Sequence, residues 1–481
     1  MAARSLAGRA AVALALMLGF YVLAVGLAGA LLWVPWAEWH YAGRIHLKLL
    51  VGCGFGALAI LYSLIPRRDA FQPPGPQLAR SEQPELFARL DHVAGKVGQP
   101  LPREVYLVPE LNAWVASRGG AMGFGSHRVM GIGLPLLQVV DVPAFEAILA
   151  HEFGHYHGGD TKLGPWIYKT RTAIGRTLEA LGEGWLRLPF RWYGNLFLRI
   201  TQAISRAQEF TADRLAAGVV GARPLASGLR AVHAYAGAFD AYWQGEALPV
   251  LRSGFHAPLA DGFAAFVRVP RVESAVRDDL ASALRSEAAH AFDSHPPLRE
   301  RLAALGDLGA VPDAGDVPRA LSLLTDVAAL EQRLLAFLGG KEARFAPVAW
   351  NDVPEHVFLP GWRRQRRELA TALAGVTWAR LPEALRSHGL DWAQQLHGIT
   401  VSRAQVARAL GGPIGACLAV TLVDRGWTLD AGLGEPVTLS HGGGRLEPFA
   451  LVSKLLGDPA AGTRFEALVA EEGIGALPVA A

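Results

Sequence analysis

The residues best able to do chemistry lie in one pentapeptide, His151-Glu152-Phe153-Gly154-His155. Residues four apart share one face of a helix, so both imidazoles can reach a single metal ion. Neutral imidazole is a good zinc ligand, and a catalytic zinc site combines three protein ligands with a fourth position for water. Glu152, beside the first histidine, can take the proton of that water. The pattern therefore predicts one zinc ion per chain and hydrolytic chemistry.

A third ligand is needed, because an HExxH pattern also arises by chance. The metzincin pattern would continue to a histidine where this chain has Thr161, which is a poor zinc ligand. Glu209 is the better candidate, since a carboxylate on a second helix gives the His₂Glu set of a catalytic site. Asp213, four residues later, can hydrogen-bond a ligand histidine. Taken alone, these charges also fit the solvated surface of a helix.

A further cluster, Asp293-Ser294-His295-Pro296-Pro297, precedes a charged helix. The prolines favour an extended backbone before that helix, which can present His295 into a cleft. An imidazole there can hydrogen-bond the oxyanion of a tetrahedral intermediate. The alternative is an ordinary helix start, capped by the aspartate or serine, with a surface histidine.

Together these motifs resemble the gluzincin family that contains the heat-shock protease HtpX and the CAAX prenyl proteases. The resemblance covers about residues 84–305 and includes a fourth motif, Leu111-Asn112-Ala113-Trp114. It implies a membrane zinc metalloendopeptidase, with the zinc ligands His151, His155 and Glu209 and with Glu152 as general base. By similarity, His295 would steady the transition state, Asn112 would hold the substrate backbone, and Arg301 would pair with Asp213. The strand at 129–134 would accept the substrate as an added β-strand.

The elements that must position these residues are predicted to form a mainly helical α+β domain. A helix is expected at 85–97, strands at 103–108, 112–117 and 127–134, and a glycine-rich loop or lid at 119–125. The zinc helix is expected to start at a cap on Asp141 and to end at Gly158-Gly159.

Two uncharged runs, 10–37 and 49–66, precede this domain. Each approaches the length of about 20 residues that spans a bilayer, and Trp33, Trp36 and Trp39 suit the membrane interface. They predict an uncleaved transmembrane hairpin. A cleaved signal peptide is the rival interpretation, but the second run follows immediately.

Basic residues near the ends of these runs set the orientation. They are Arg4, Arg9, Arg67 and Arg68 on one side, and Arg44 and Lys48 on the other. This bias predicts a multi-pass protein of the cell inner membrane, with its catalytic domain in the cytoplasm.

The stretch 163–204 mixes aromatic residues with arginines and is too charged for a simple span. It fits amphipathic helices in the membrane interface and equally a helical insert packed on the peptidase domain. The expected organisation is a hairpin at 1–70, a peptidase domain at 75–305 that contains this insert, and a helical C-terminal extension at 306–481 of unknown role.

Composition narrows the function classes. Of the 481 residues, 51% are hydrophobic and 19% charged, and a mean hydropathy of +0.23 agrees with a membrane-associated chain. A net charge of +3 gives no support for nucleic-acid binding. Two cysteines, Cys53 and Cys417, exclude a CxxC-type zinc site and are compatible with a reducing compartment.

The leading hypothesis is an endopeptidase that cleaves membrane-associated proteins or peptides, in membrane protein quality control. One alternative is a scaffold or chaperone that retains a zinc site without proteolysis. Another is a CAAX-type protease of prenylated proteins, although this chain has only two clear spans. The sequence leaves the oligomeric state open.

Overall fold

The computed structural model describes residues 2–65, 71–118, 127–156, 164–285, 295–306, 318–340, 344–397, 402, 405–455 and 457–480. The expected loop at 119–125, Gly158-Gly159, Thr161 and the caps Asp293 and Ser294 lie outside these residues. The zinc helix already ends at Gly154, before the expected end at Gly158-Gly159. The chain divides into two compact units, the first comprising Met1–Gly237 and Arg277–Leu338 and the second comprising Ala238–Val276 and Gly339–Ala481.

Helices dominate both units. In chain order the α-helices are α1 (Ala2–Ala42), α2 (Leu47–Leu64), α3 (Pro84–Val97), α4 (Leu134–Val139), α5 (Val142–Gly154), α6 (Gly164–Ala180), α7 (Arg187–Val219), α8 (Ala222–Tyr242), α9 (Leu248–Arg252), α10 (Leu259–Phe266), α11 (Pro270–Arg285), α12 (Leu298–Ala304), α13 (Val327–Gly339), α14 (Leu359–Leu369), α15 (Leu381–His397), α16 (Val406–Val423), α17 (Pro448–Lys454) and α18 (Pro459–Glu471). The strands are β1 (Glu104–Val108), β2 (Ala113–Arg118), β3 (His127–Gly133), β4 (Phe255–His256), β5 (Ala346–Pro347), β6 (Thr428–Asp430), β7 (Thr438–His441) and β8 (Gly444–Leu446). The mainly helical α+β class expected from the sequence is confirmed.

The sheet of the first unit has the order β1-β3-β2, with β3 parallel to β1 and antiparallel to β2. The expectation that a substrate strand joins 129–134 is therefore wrong, because β3 is the central strand and both its edges are already paired. The outer edge of β1 is partly covered, since Leu78 N–H bonds to Val105 O and Leu107 N–H bonds to Pro76 O. Within the described sheet, β2 is the edge that faces the zinc helix.

The start of α5 follows the sequence expectation. The Asp141 side chain accepts a hydrogen bond of 2.7 Å from the Ala144 N–H, and a proline stands in the first turn. At the other end, Gly154 lies against α7: a Cβ built on it would be 3.1 Å from the Ala212 Cα. This glycine lets α5 and α7 approach closely, which brings the HExxH face near Glu209.

The apolar hairpin forms a bundle with the stretch that the sequence left ambiguous. Helices α6 and the first half of α7 pack against α1 and α2 around a core that includes Phe20, Ile60, Phe190 and Phe197. Tyr193 donates a hydrogen bond of 2.7 Å to the Leu16 carbonyl, within the same bundle. The insert therefore packs on the hairpin.

A segment beyond the expected peptidase boundary belongs to the first unit. Residues 318–325 pair with the α4–α5 junction through an antiparallel backbone β-bridge between Arg319 and Asp141. The Ala320 N–H donates a hydrogen bond of 2.9 Å to the Val140 carbonyl. Gln83, at the start of α3, makes two hydrogen bonds to the Thr325 backbone, of 3.0 and 2.7 Å. The first unit thus extends past residue 305, whereas residues 238–276 belong to the second unit. Both differences arise because packing brings together segments that are far apart in the sequence.

The second unit has its own core around Trp378, Cys417, Leu418 and Phe465, each fully buried. The three short strands β6–β8 form an antiparallel meander, whose last turn uses the left-handed glycines Gly442 and Gly443, as the Gly-Gly-Gly sequence indicates. The borrowed segment 238–276 joins this unit in part through Glu246, which accepts a hydrogen bond of 3.1 Å from the Gly434 N–H.

Candidate metal centre

Three side chains from two helices converge on one point. His151 and His155 come from the end of α5, and Glu209 comes from the second half of α7. Their candidate ligand atoms lie within 4.8 Å of one another. The Nε2 atom of His151 is 3.4 Å from Glu209 Oε2, and the Nε2 atom of His155 is 3.6 Å from Glu209 Oε1.

The donor set fits a zinc ion. Tetrahedral ligands at about 2.0–2.1 Å from zinc are about 3.3–3.4 Å apart, which is close to these nitrogen-to-oxygen distances. Glu209 Oε2 is buried and has no hydrogen-bond partner of good geometry, although His151 Nε2 and Arg301 Nη1 lie 3.4 and 3.5 Å from it. A cation at this point would satisfy that oxygen.

A buried ion pair supports the ligands from behind. The guanidinium of Arg301, on α12, donates to Asp213 through Nε at 2.8 Å and Nη2 at 2.6 Å. Asp213 Oδ1 in turn lies 2.9 Å from Nδ1 of His151. A proton on Nδ1 leaves Nε2 of this histidine free for a metal, which is the usual arrangement behind a ligating histidine.

The electrostatics favour positive charge at this point. Burial opposes protonation of His151, but Asp213 and Glu209 outweigh it and raise its pKa to about 9. Burial, together with His151, lowers the pKa of His155 to about 4 and so keeps it a neutral donor. Burial alone would raise the pKa of Glu209, yet the neighbouring His151 and His295 hold this pKa well below its usual range. Glu209 is therefore ionised at neutral pH.

Glu152 and His295 lie at the same site. Burial raises the pKa of Glu152 to about 7. A carboxylate with this pKa is partly ionised at neutral pH and basic enough to accept a proton from water. His295 has its Nδ1 3.1 Å from Glu209 Oε1, and its side chain is 66% exposed. Asn112 stands exposed at the start of β2, and its Oδ1 accepts a hydrogen bond of 2.9 Å from the Ala113 N–H.

Sequence reasoning missed two side chains at this site. Tyr156 directly follows the HExxH pattern and donates a hydrogen bond of 2.8 Å to the Val115 carbonyl on β2. Arg128 on β3 stacks over its ring, with Cζ 4.2 Å from the centroid. No spacing rule marks either residue, because both contacts join segments far apart in the chain.

Comparison with known proteins agrees with this geometry. Residues 80–308 match the profile of the family described as "Peptidase family M48". This segment is therefore similar to peptidase family M48. The match and the His-His-Glu cluster together make this part of the chain a metallopeptidase domain, and they confirm the gluzincin resemblance.

Three curated relatives are distant in sequence and are named Protease HtpX or Protease HtpX homolog. The chain is 26% identical over 283 residues to Protease HtpX of Idiomarina loihiensis, an alignment that covers 53% of this chain and 85% of that protein. It is 24% identical over 255 residues to a Protease HtpX homolog of Desulfatibacillum aliphaticivorans, covering 49% and 71% respectively. A homolog from Ralstonia pickettii is 27% identical over 176 residues, covering 33% and 59%. No solved structure matches the chain.

Proposed function

We propose that this protein is a membrane-anchored, zinc-dependent endopeptidase that cleaves extended segments of membrane-associated proteins. The observation that carries the proposal is the buried Glu209 carboxylate held between the Nε2 atoms of His151 and His155. A structural zinc site is normally closed by four protein ligands and needs no general base, whereas this cluster has three among the described residues and lies beside Glu152.

The chain's own residues divide the work. When bound, zinc would supply a Lewis acid that lowers the pKa of a water molecule. Glu152 accepts the proton of the attacking water and passes it to the departing amine nitrogen. Asp213 keeps the Nδ1 proton of His151 in place, and Arg301 fixes Asp213. The exposed His295 donates a hydrogen bond to the oxyanion.

The substrate joins β2 rather than β3. Both edges of β3 are paired, while β2 is the described edge beside α5. An added strand bonds through its backbone, so this mode selects extended segments more than particular side chains. Asn112, at the start of the same strand, then contacts the substrate backbone. Unfolded segments of membrane proteins meet this requirement, which agrees with a role in quality control.

The exposed apolar side chains of α1 and α2 support their insertion in a membrane. Both are long and apolar enough to span a bilayer, yet most of their apolar surface is not buried by protein. Trp33, Trp36 and Trp39 are each about half exposed near the end of α1. A soluble protein rarely leaves so large an apolar surface open, whereas lipid would cover it. The charge bias at the helix ends supports a peptidase domain on the cytoplasmic side of the inner membrane.

The bundle adds α6 and the first half of α7 to the membrane-embedded part. A Cβ on Gly56, at the middle of α2, would be 3.2 Å from the Leu186 side chain, so the turn between α6 and α7 lies alongside that span. Near this turn Trp185 and Trp192 are 73% and 69% exposed. Glu183 pairs with Arg187, which limits the cost of bringing charge to this depth. A spin label at position 185, in a Cys53→Ser background, should collide with oxygen more than with a water-soluble nickel chelate, whereas a label at the exposed position 82 should show the reverse.

The central experiment combines metal content with cleavage. Purified protein should hold one zinc ion and cut fluorescein-labelled casein. Glu152→Gln should keep the zinc and lose cleavage, and Glu209→Ala should lose both. Glu146→Gln is the matched control, because Glu146 is on the same helix but pairs with Arg89 at 3.1 Å away from the ligands.

The outcomes separate the alternatives. Cleavage by Glu152→Gln at the wild-type rate would contradict the role of Glu152 as general base. A bound zinc without cleavage of any protein would instead favour a scaffold or chaperone. Cleavage restricted to a prenylated peptide would favour CAAX-type processing.

A further inference from the structure

The side chain of Tyr156 occupies the open edge of β2. Its hydroxyl donates a hydrogen bond to the Val115 carbonyl at 2.8 Å, and the Val115 N–H donates to the Glu152 carboxylate. A residue in an antiparallel strand points its N–H and C=O to the same side. Both backbone groups of Val115 therefore point away from β3 and towards the zinc helix.

This is the place that an added strand would take. A strand paired with β2 would run about 4.8 Å from it and would donate a backbone N–H to the Val115 carbonyl at about 2.9 Å. The Tyr156 hydroxyl lies at that hydrogen-bonding distance, so its ring occupies the space of the incoming backbone. Two residues earlier on the same edge, the Ala113 N–H donates to Asn112 Oδ1.

Tyr156 is also held from behind. The guanidinium of Arg128 stacks over its ring, and Arg128 Nη1 donates a hydrogen bond of 2.8 Å to Gln99 Oε1. Gln99 lies just beyond the end of α3. The tyrosine is thus fixed between the edge of β2 and an arginine of β3 rather than resting loosely on the surface.

We propose that Tyr156 closes the β2 edge in the resting protein, and that an extended peptide enters by displacing its hydroxyl from Val115. The inference rests on the proposed function, because it assumes that the substrate pairs with β2. It makes Tyr156 a residue that limits access for extended chains. It also explains how an unpaired edge beside a cleft avoids pairing with the same edge of another copy.

The first test separates substrate binding from chemistry. Tyr156→Phe keeps the ring and removes the hydroxyl that competes for the Val115 carbonyl. The KM for fluorescein-labelled casein should fall about three- to tenfold, with kcat unchanged, since one neutral hydrogen bond no longer has to be displaced. Tyr106→Phe is the matched control: its hydroxyl bonds to Glu104 on β1, and its removal should leave KM unchanged. An unchanged or higher KM for Tyr156→Phe would overturn the inference.

The arginine provides an independent variant. Arg128→Met removes the cation over the ring while keeping an unbranched apolar side chain. It should lower KM in the same direction as Tyr156→Phe, and the double variant should gain no more than Tyr156→Phe alone, because both act on one contact. Fully additive effects would show that Arg128 acts elsewhere and would contradict the coupling.

A binding measurement distinguishes failure of this inference from failure of the proposed function. The probe is a fluorescein-labelled peptide of alternating valine and threonine with lysine ends, and its partner is the same peptide N-methylated at alternate residues. Tyr156→Phe should bind the first peptide about three- to tenfold more tightly than wild type and should lose this gain with the methylated one, which lacks the N–H for Val115. If the gain appears although no protein is ever cleaved, the peptidase proposal fails and the edge closure stands. If cleavage occurs and neither Kd nor KM responds, the closure fails and the peptidase proposal stands.

Discussion

Arg301 holds Asp213 through two hydrogen bonds, of 2.8 and 2.6 Å, and Asp213 is the residue that contacts Nδ1 of His151. Both partners of the ion pair are almost fully buried. Arg301 comes from α12, whereas Asp213 comes from α7. The pair therefore ties a late segment of the peptidase unit to the helix that provides the third candidate ligand.

Weakening this ion pair should lower zinc affinity even though the three candidate ligands are unchanged. Asp213→Asn keeps the shape but removes the charge that orients His151, so zinc affinity should fall about 10- to 100-fold in a chelator competition assay. Arg301→Met leaves a buried carboxylate without its cation and should cost about 3–5 kcal/mol of unfolding free energy. The control is Glu82→Gln, which breaks an exposed pair with Arg333 and should change neither quantity measurably. Equal zinc affinity in Asp213→Asn and wild type would contradict this role.

The close approach of α5 and α7 gives a second prediction. Gly154→Val would place side-chain atoms against Ala212, where even a Cβ meets the Cα at 3.1 Å. The helices should separate, which costs about 1–3 kcal/mol of stability and moves Glu209 away from the histidines. Zinc content after dialysis should fall below that of wild type. Gly95→Val is the matched control, because a Cβ there meets nothing within 4 Å. Full zinc content in Gly154→Val would show that the contact does not position the site.

The segment 318–325 should contribute to the stability of the peptidase unit, although it lies outside the family match. Gln83→Ala would remove two part-buried hydrogen bonds to the Thr325 backbone, which should cost about 0.5–1.5 kcal/mol each. Urea unfolding followed by the fluorescence of the peptidase unit measures this loss. Gln395→Ala, at an exposed position of α15, should leave the midpoint unchanged. A midpoint for Gln83→Ala equal to that of wild type would mean that this segment is only loosely attached.

Glu104 should make stability depend on pH in one direction. Its hydrogen bond from Tyr106, with help from Arg118 and His127, holds its pKa below the ordinary value of 4.5. A group whose pKa is lowered by folding stabilises the fold above its unfolded pKa, and this contribution is lost as the pH falls through the folded pKa. Glu104→Gln should therefore be less stable than wild type at about pH 7, and the difference should shrink towards about pH 3. A difference that grows on acidification would contradict the assignment.

Local signals in the sequence were sufficient for the zinc helix. Asp141, the proline after it and the i, i+4 histidines act within a few residues of one another, and the structure places the cap where the sequence predicts it. The predicted strands also appear with small changes at their ends. These features depend on nearest neighbours, which a single sequence records directly.

Pairing between distant segments could not be predicted in the same way. The sequence of β3 does not show whether the strand lies at the edge or in the centre of its sheet, so strand order had to come from the structure. The contact of Tyr156 with Val115 and the closeness of Gly154 to Ala212 depend on that order and on helix packing. The two compact units differ from the expected domain boundaries for the same reason, since nothing in the composition of 238–276 sets it apart from the peptidase segments on either side.

The borrowed segment also imposes an order on biosynthesis. Residues 238–276 leave the ribosome before His295 and Arg301, yet the remainder of their own unit begins only at residue 339. The catalytic unit can close once residue 338 has been made, whereas the segment emerging from its middle must wait for residues 339–481. A nascent chain would thus acquire its hydrolytic machinery before the second unit can fold, and any restraint that this unit provides can come only once those residues have been made.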